Sequence, residues 1–168
     1  MTLRYISLKS IGRLPTLDFT EQNGTDPLHI DQFFKNDLNT YMKSNLSRVW
    51  FVEENDKAIA YFTVSMSAIE IQKLDKLKEK VKGTTPTRYP AMLLGRMGVD
   101  KNHRGKQVGS SICKFCRGLA IFIGNRVACR YIILQTTQDK IPFYRKCGFI
   151  QSGVKPKNGL YWMYSRIV

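Results

Sequence analysis

The chain has 168 residues, with 27 basic against 13 acidic side chains and a net charge of +14. A hydrophobic share of 43% suits one globular domain over residues 1–168, with a single core. Every apolar run stops short of the about 20 residues that span a bilayer. The N-terminus lacks a signal peptide's apolar core, so a cytoplasmic protein with no membrane partner is expected.

Leu3–Leu8 alternates weakly and is expected to form a first strand, and residues 9–25, with Gly12, Pro15 and Gly24, to be irregular. Asp26-Pro27 is a helix start, with Asp as N-cap and Pro at the first helical position. Ile30, Phe33, Phe34, Leu38, Tyr41 and Met42 then recur at helical spacing, predicting one helix up to about Ser44 with a core-facing stripe. Val49–Glu53 and Ile59–Met66 are aromatic and β-branched, with Asn55-Asp56-Lys57 between them, which is a hairpin signal. Residues 69–82 are expected to form a basic helix with Leu74, Leu77 and Val81 on one side, and Gly83–Pro90 a loop. Met92–Val99 is expected as a strand, Val108–Ile123 as a long helix and Tyr131–Thr136 as a short strand. Ile141–Lys146 is expected as a short helix, opened by Gln138-Asp139 and closed by Gly148, and Leu160–Ile167 as a last strand. This order predicts an α+β fold on a mixed, mostly antiparallel sheet.

Cys113 and Cys116 make a C-x-x-C, but neither a second pair nor a nearby histidine completes a zinc set. Both lie inside the long predicted helix on one face, so they read as small buried hydrophobes rather than a redox or metal pair. No metal is expected. The positive charge creates a broad field suited to nucleic acid, acidic surfaces or an anionic cofactor. The alternatives are an enzyme that is merely basic, or one paired with an acidic protein.

The most informative stretch is Val99-Asp-Lys-Asn-His-Arg-Gly-Lys-Gln-Val-Gly-Ser110, a turn between a predicted strand and a predicted helix. The free N–H groups of a helix's first turn and its dipole hold a pyrophosphate. Gly105 and Gly109 let the backbone approach, and Arg104 and Lys106 add side-chain charge. Neither G-x-G-x-x-G nor a P-loop motif is present, which disfavours kinases, NTPases and nicotinamide enzymes.

These residues resemble the GNAT superfamily of acetyl-CoA-dependent N-acetyltransferases. Its [RQ]-x-x-G-x-[GA] signature is similar to Arg104-Gly-Lys-Gln-Val-Gly109, and its F-Y-x-x-x-G-F landmark to Phe143-Tyr-Arg-Lys-Cys-Gly-Phe149. Leu94-Gly-Arg-Met-Gly-Val-Asp100 and Ala58–Ser65 further resemble the tRNA-acetylating toxins of type II toxin–antitoxin pairs. The chain departs from these patterns in three places. Gln107 replaces the motif's middle glycine, Gly98 stands for the toxins' alanine (a mild change by size), and Thr136, Thr137 and Gln138 occupy the region of a usual asparagine.

The resemblance implies about six or seven strands, with acetyl-CoA between splayed strands four and five. It implies that Met97, Gly98 and Val99 pair with the pantetheine arm, a bulge near Gly98 polarising the thioester carbonyl. Arg104, Gly105, Lys106, Gln107, Val108, Gly109 and Ser110 would hold the pyrophosphate. Gln107 would either crowd that group or offer it an amide donor. Tyr144 would protonate the departing thiolate, its other reading being a packing aromatic. Transfer would be direct, with no role for Cys147 as a nucleophile. Of the nearby carboxylates Glu53, Glu54, Glu70 and Asp100, the last reads as a turn cap, and no general base is assigned. His103 reads as a solvated loop residue. Arg88, Arg96, Arg145 and Lys146 would contact RNA phosphates. tRNA and an acidic antitoxin are the implied partners, and a homodimer is left open. Two other readings compete: a GNAT enzyme acting on a small-molecule or protein amine, and a nucleic-acid-binding module whose CoA site has decayed.

Overall fold

The structure is a computed structural model that describes residues 2–9, 11–75, 79–84 and 86–167. Its elements are β1 (Arg4–Leu8), α1 (Ile30–Asn36), α2 (Leu38–Lys43), β2 (Arg48–Glu54), β3 (Lys57–Glu70), β4 (Arg88–Val99), α3 (Val108–Gly124), β5 (Tyr131–Thr136), α4 (Ile141–Lys146), β6 (Ile150–Gln151) and β7 (Tyr161–Arg166). The strands are hydrogen-bonded in the order β1-β2-β3-β4-β5-β7-β6. The β1–β2, β2–β3, β5–β7 and β6–β7 pairs are antiparallel. β4 and β5 are parallel, and their ladder covers only Ala91–Leu93 against Tyr131–Ile133, while β4 runs on to Val99 and β5 to Thr136. This is the expected α+β class, with the splay between the fourth and fifth strands. β6 has no counterpart in the sequence reading, because two residues carry no measurable periodicity.

Two compact units share the chain, one up to Ser65 with Gly95–Ile112, the other Met66–Leu94 with Cys113 onward. In the first, Leu17, Phe19, Phe33, Phe34, Leu38, Met42, Val49, Phe51 and Tyr61 form one core. Phe19 meets the rings of Phe34 and Tyr61 edge-on at 4.9 Å each. Such pairs contribute about 0.5–1.5 kcal/mol beyond area burial. The Tyr61 hydroxyl, buried with its ring, donates to the Ile30 carbonyl at 2.7 Å, so the polar end is satisfied. Asn55 and Asp56 both adopt positive φ, 50° and 59°, which makes the predicted hairpin a two-residue turn of the kind that matches strand twist.

The expected helix from Pro27 to Ser44 is instead two short helices beginning at Ile30. His29 sits at φ 53°, ψ 35° and breaks any earlier helical run. Asp26 still serves the helix start from outside it, accepting the N–H groups of Ile30 (2.8 Å) and Gln32 (2.9 Å).

The second unit has its own core of Ile69, Leu74, Tyr89, Ala91, Tyr131, Ile133 and Tyr164. The expected basic helix over 69–82 is corrected here. Ile69 and Glu70 complete β3, and Ile71–Lys73 is a single 3-10 turn. Lys76, Leu77 and Lys78 of that expectation lie outside the described residues. Further on, buried Glu79 accepts from the Tyr131 hydroxyl at 2.7 Å and lies 3.7 Å from Arg166, and the Asp75 N–H donates to the Tyr164 hydroxyl. These tyrosines tie the segment to β5 and β7, an arrangement that counting lysines does not reveal. β4 also begins earlier than expected, at Arg88. Pro90 lies one residue before the β5 ladder, where its missing N–H is not needed, and its carbonyl accepts from Arg130.

Candidate active site

β4 ends at Val99, and the chain turns through Asp100 and a 3-10 turn at Lys101–His103. Buried Asp100 holds that turn together. Its carboxylate accepts the N–H groups of Asn102 and Asp18, both at 3.0 Å, and contacts His103 Nδ1 at 3.2 Å. Burial pulls this carboxyl up, but the hydrogen bonds from Asp18, Asn102 and His103 outweigh it and leave it below its ordinary value. Asp100 is thus the turn cap the sequence suggests. His103 departs from its expectation, being a half-buried partner of Asp100 rather than a solvated residue.

The next residues form the turn that leads into α3. Gly105 and Gln107 both take left-handed backbone, at φ 77° and 61°. Such successive turns direct backbone N–H groups to one side. The first helical bond of α3 runs from the Ser111 N–H to the Gln107 carbonyl at 3.0 Å. The N–H groups of Val108, Gly109 and Ser110 therefore precede the helical ladder and remain available. The first turn of α3 holds no acid, and Lys106 is exposed with no hydrogen-bond or ion-pair partner among the described residues. The donor set fits a diphosphate.

Arg104 does a different job from the one its charge suggests. Its guanidinium donates to the carbonyls of Phe19 (2.9 Å) and Val99 (3.2 Å) and lies 3.7 Å from Glu21. It braces the turn against residues 18–21, whose Asp18 carbonyl also accepts from the Lys101 N–H. Sequence reasoning missed this brace because residues 9–25 lack periodicity. The apolar pair Leu17 and Phe19 was the one available signal.

Gln107 occupies a position that suits glycine. A left-handed non-glycine residue costs about 1–2 kcal/mol. Gln107→Gly is therefore expected to stabilise the protein by about 1 kcal/mol, read as a higher urea midpoint at unchanged slope. An unchanged midpoint would show that the glutamine side chain makes up the strain.

On β4, Met97 and Val99 are half-buried and Gly98 is buried. A Cβ on Gly98 would lie 2.6 Å from Phe19 Cδ1 and 2.7 Å from Ile30 Cγ2. Exchange with alanine is therefore not the mild change expected from size alone. Arg96 donates its backbone N–H to Thr63 Oγ1 at 3.0 Å, and its guanidinium lies 5.1 Å above the Phe33 ring. Its buried Nε has no hydrogen-bond partner among the described residues.

In the second unit, α4 explains its motif residue by residue. Pro142 starts the helix, where a missing N–H is harmless. Gly148 follows at φ 86°, its N–H bonding to the Arg145 carbonyl while the Phe149 N–H bonds to the Tyr144 carbonyl. This left-handed C-terminal turn brings Phe149 back onto Tyr144, ring centroids 5.7 Å apart. Phe143 meets the same ring at 4.9 Å. Gly148→Ala is expected to cost about 1 kcal/mol of stability through its positive φ, measured by thermal unfolding. No loss of melting temperature would contradict this account of the turn.

Tyr144 is buried, and desolvation, with smaller contributions from Cys113, Cys147 and Cys116, raises its hydroxyl well above the ordinary phenol value. A phenol so held keeps its proton at neutral pH. Arg145 and Lys146 follow it on α4, the first bonded to Gln151 Oε1 at 2.7 Å, the second exposed. Arg88 lies 3.7 Å from Glu70, and Glu53 pairs with Arg4 at 2.6 Å, so these two acids are already engaged by cations. Thr136, at the end of β5, is fully buried with its hydroxyl unpartnered among the described residues.

The left-handed residues Gly105 and Gln107 and the N–H groups ahead of the α3 ladder are backbone features suited to a phosphate-bearing carrier. The acetyltransferase (GNAT) domain family matches residues 45–151, and the chain belongs to that family. It is an N-acetyltransferase whose acetyl donor is acetyl-CoA. No curated protein matches the chain. Among solved structures, one described as a bacterial toxin superposes with a TM-score of 0.81 at 18% identity, covering 99% of this chain and 91% of its own. The toxin AtaT complexed with acetyl-methionyl-tRNAfMet gives 0.77 at 16% identity, covering 96% and 94%. A tyrosine-to-phenylalanine variant of AtaT bound to the C-terminus of the antitoxin AtaR gives 0.74 at 15% identity, covering 99% and 93%. At such identities the likeness establishes the shared fold.

Proposed function

We propose that this acetyltransferase modifies the α-amine of aminoacyl-tRNA and serves as the toxin of a toxin–antitoxin pair in the cytoplasm. The observation that carries this reading is the fold-level likeness, over 96% of the chain, to a toxin complexed with acetyl-methionyl-tRNA. The net charge of +14 supports it, since an RNA acceptor and an acidic antitoxin both favour a cationic surface.

Acetyl-CoA supplies an activated thioester. Backbone N–H groups of Gly105 to Ser110 and the Lys106 ammonium receive its diphosphate, with Arg104 keeping the turn in shape. Met97, Gly98 and Val99 offer strand-edge backbone groups to the pantetheine. The acceptor amine attacks the carbonyl directly, and Tyr144 gives its proton to the departing thiolate. The α-amine of an aminoacyl ester is less basic than a lysine, so it is substantially neutral at pH 7 and needs no dedicated base. Arg88, Arg96, Arg145 and Lys146 are the cations this reading assigns to RNA phosphates.

The test is transfer of labelled acetyl to charged tRNA, deacylated tRNA, small amines and basic peptides in parallel. Label on charged tRNA alone, falling steeply as salt rises, is the expected result. Label on small amines or peptides without RNA would overturn the tRNA reading and leave an acetyltransferase of another specificity.

A further inference from the structure

The C-terminal end of α3 exposes side chains that acetyl transfer does not use. Eight large apolar side chains are exposed among the described residues, and three of them, Ile121, Phe122 and Val127, fall within one short stretch. They are 41%, 56% and 61% exposed. Single exposed apolar side chains are ordinary, whereas a cluster marks an interaction surface. An open cavity of about 350 Å³ lies at the same end of the helix. Its walls include Ile121, Ala128, Cys129 and Ile167, and Phe122 and Val127 are chain neighbours of the first two.

The charge around this cluster has one sign. No Asp or Glu occurs from residue 101 to residue 138. The arginines here bond to neutral groups: Arg117 to Ser165 Oγ at 3.2 Å, and Arg130 to the Tyr131 hydroxyl at 3.3 Å. Arg126 donates to the Phe122 carbonyl at 3.2 Å and lies 4.0 Å above the Phe122 ring. That contact holds an exposed aromatic in place, so less side-chain freedom is lost when a partner covers it.

We propose that this end of α3 docks an acidic amphipathic helix of a partner protein, with one apolar side chain of that helix entering the cavity. The partner's apolar stripe covers Ile121, Phe122 and Val127, and its flanking carboxylates meet Arg117, Arg126 and Arg130. A second copy of this chain does not suit the surface. A twofold interface sets one patch against itself and would oppose these arginines to one another. RNA carries the right charge, but its phosphates gain nothing from Ile121 and Val127. A lipid surface is flat and leaves the cavity unfilled.

The surface shares no residue with those assigned to acetyl-CoA or to the acceptor. Binding is therefore read without acetyl transfer, and failure of the tRNA reading leaves it untouched. The full chain would select from a displayed library of short helical peptides, with the double variant Phe122→Ser, Val127→Ser as counter-selection. Both side chains are exposed, so this variant should keep the wild-type melting temperature. Selected peptides should combine an apolar stripe with Asp and Glu. The most enriched peptide, labelled and titrated by fluorescence anisotropy, should lose at least about tenfold in affinity for the double variant. Arg126→Glu, which leaves the apolar cluster intact, should also weaken it, and so should rising salt. No enrichment over the double variant, or enriched peptides that are basic or lack the stripe, would overturn the proposal. Tighter binding of RNA or of phosphatidylserine vesicles, lost in the same double variant, would overturn it in favour of those partners. A wild-type dimer in sedimentation that the double variant dissolves would overturn it in favour of a second copy.

Discussion

Tyr144→Phe is expected to lower kcat by about 10²–10⁴-fold, the usual worth of a positioned general acid. The substitution keeps the ring, so its contacts with Phe143 at 4.9 Å and Phe149 at 5.7 Å survive, and removes only the hydroxyl. KM for acetyl-CoA should change little, because the lost interaction belongs to the departing thiolate and not to the bound donor. The pH profile offers an independent check. Burial raises this phenol above its ordinary value of about 10, so the protonated, donating form persists across neutral and mildly alkaline pH. The wild-type rate should therefore show no tyrosine-dependent decline below about pH 10. A variant within about twofold of wild type would make Tyr144 a packing residue.

Gly98→Ala is expected to destabilise the protein by about 2 kcal/mol, within the range for overfilling a packed core. The new methyl would sit 2.6 Å from Phe19 and 2.7 Å from Ile30, and both neighbours are themselves held. Phe19 is locked edge-on between Phe34 and Tyr61, and the Ile30 carbonyl accepts the Tyr61 hydroxyl. Urea unfolding should show a lower midpoint with an unchanged slope. Combining the change with Phe19→Leu should cost less than the two single losses together, by about 1 kcal/mol. Simple additivity would mean that Phe19 is not what fills the space over Gly98.

What was legible in the sequence was what local chemistry dictates. Asn55-Asp56 announces a left-handed hairpin turn, Gly148 a left-handed helix end, and Val108, Ile112, Cys116 and Ala120 a buried stripe at every fourth residue. The turn ahead of α3 was legible in part for the same reason, through Gly105 at positive φ. What escaped was set by distant partners. The lysine-rich segment after β3 looked helical because nothing nearby in sequence reveals that Tyr131 and Tyr164 bond to its Glu79 and Asp75. Arg104 looked like a phosphate ligand because its two carbonyl acceptors come from the strand end and an aperiodic segment. Gly98 looked replaceable because the ring above it belongs to Phe19, far back in the chain.

Calorimetric titration with acetyl-CoA beside acetyl-pantetheine, which ends before the diphosphate, probes the heart of this account. If residues 104–110 grip phosphate, the full donor binds tightly and the truncated one at least about a hundredfold more weakly, a gap of about 2.7 kcal/mol. Equal affinities, or no heat from either, would mean that the loop ahead of α3 is not where the carrier is held.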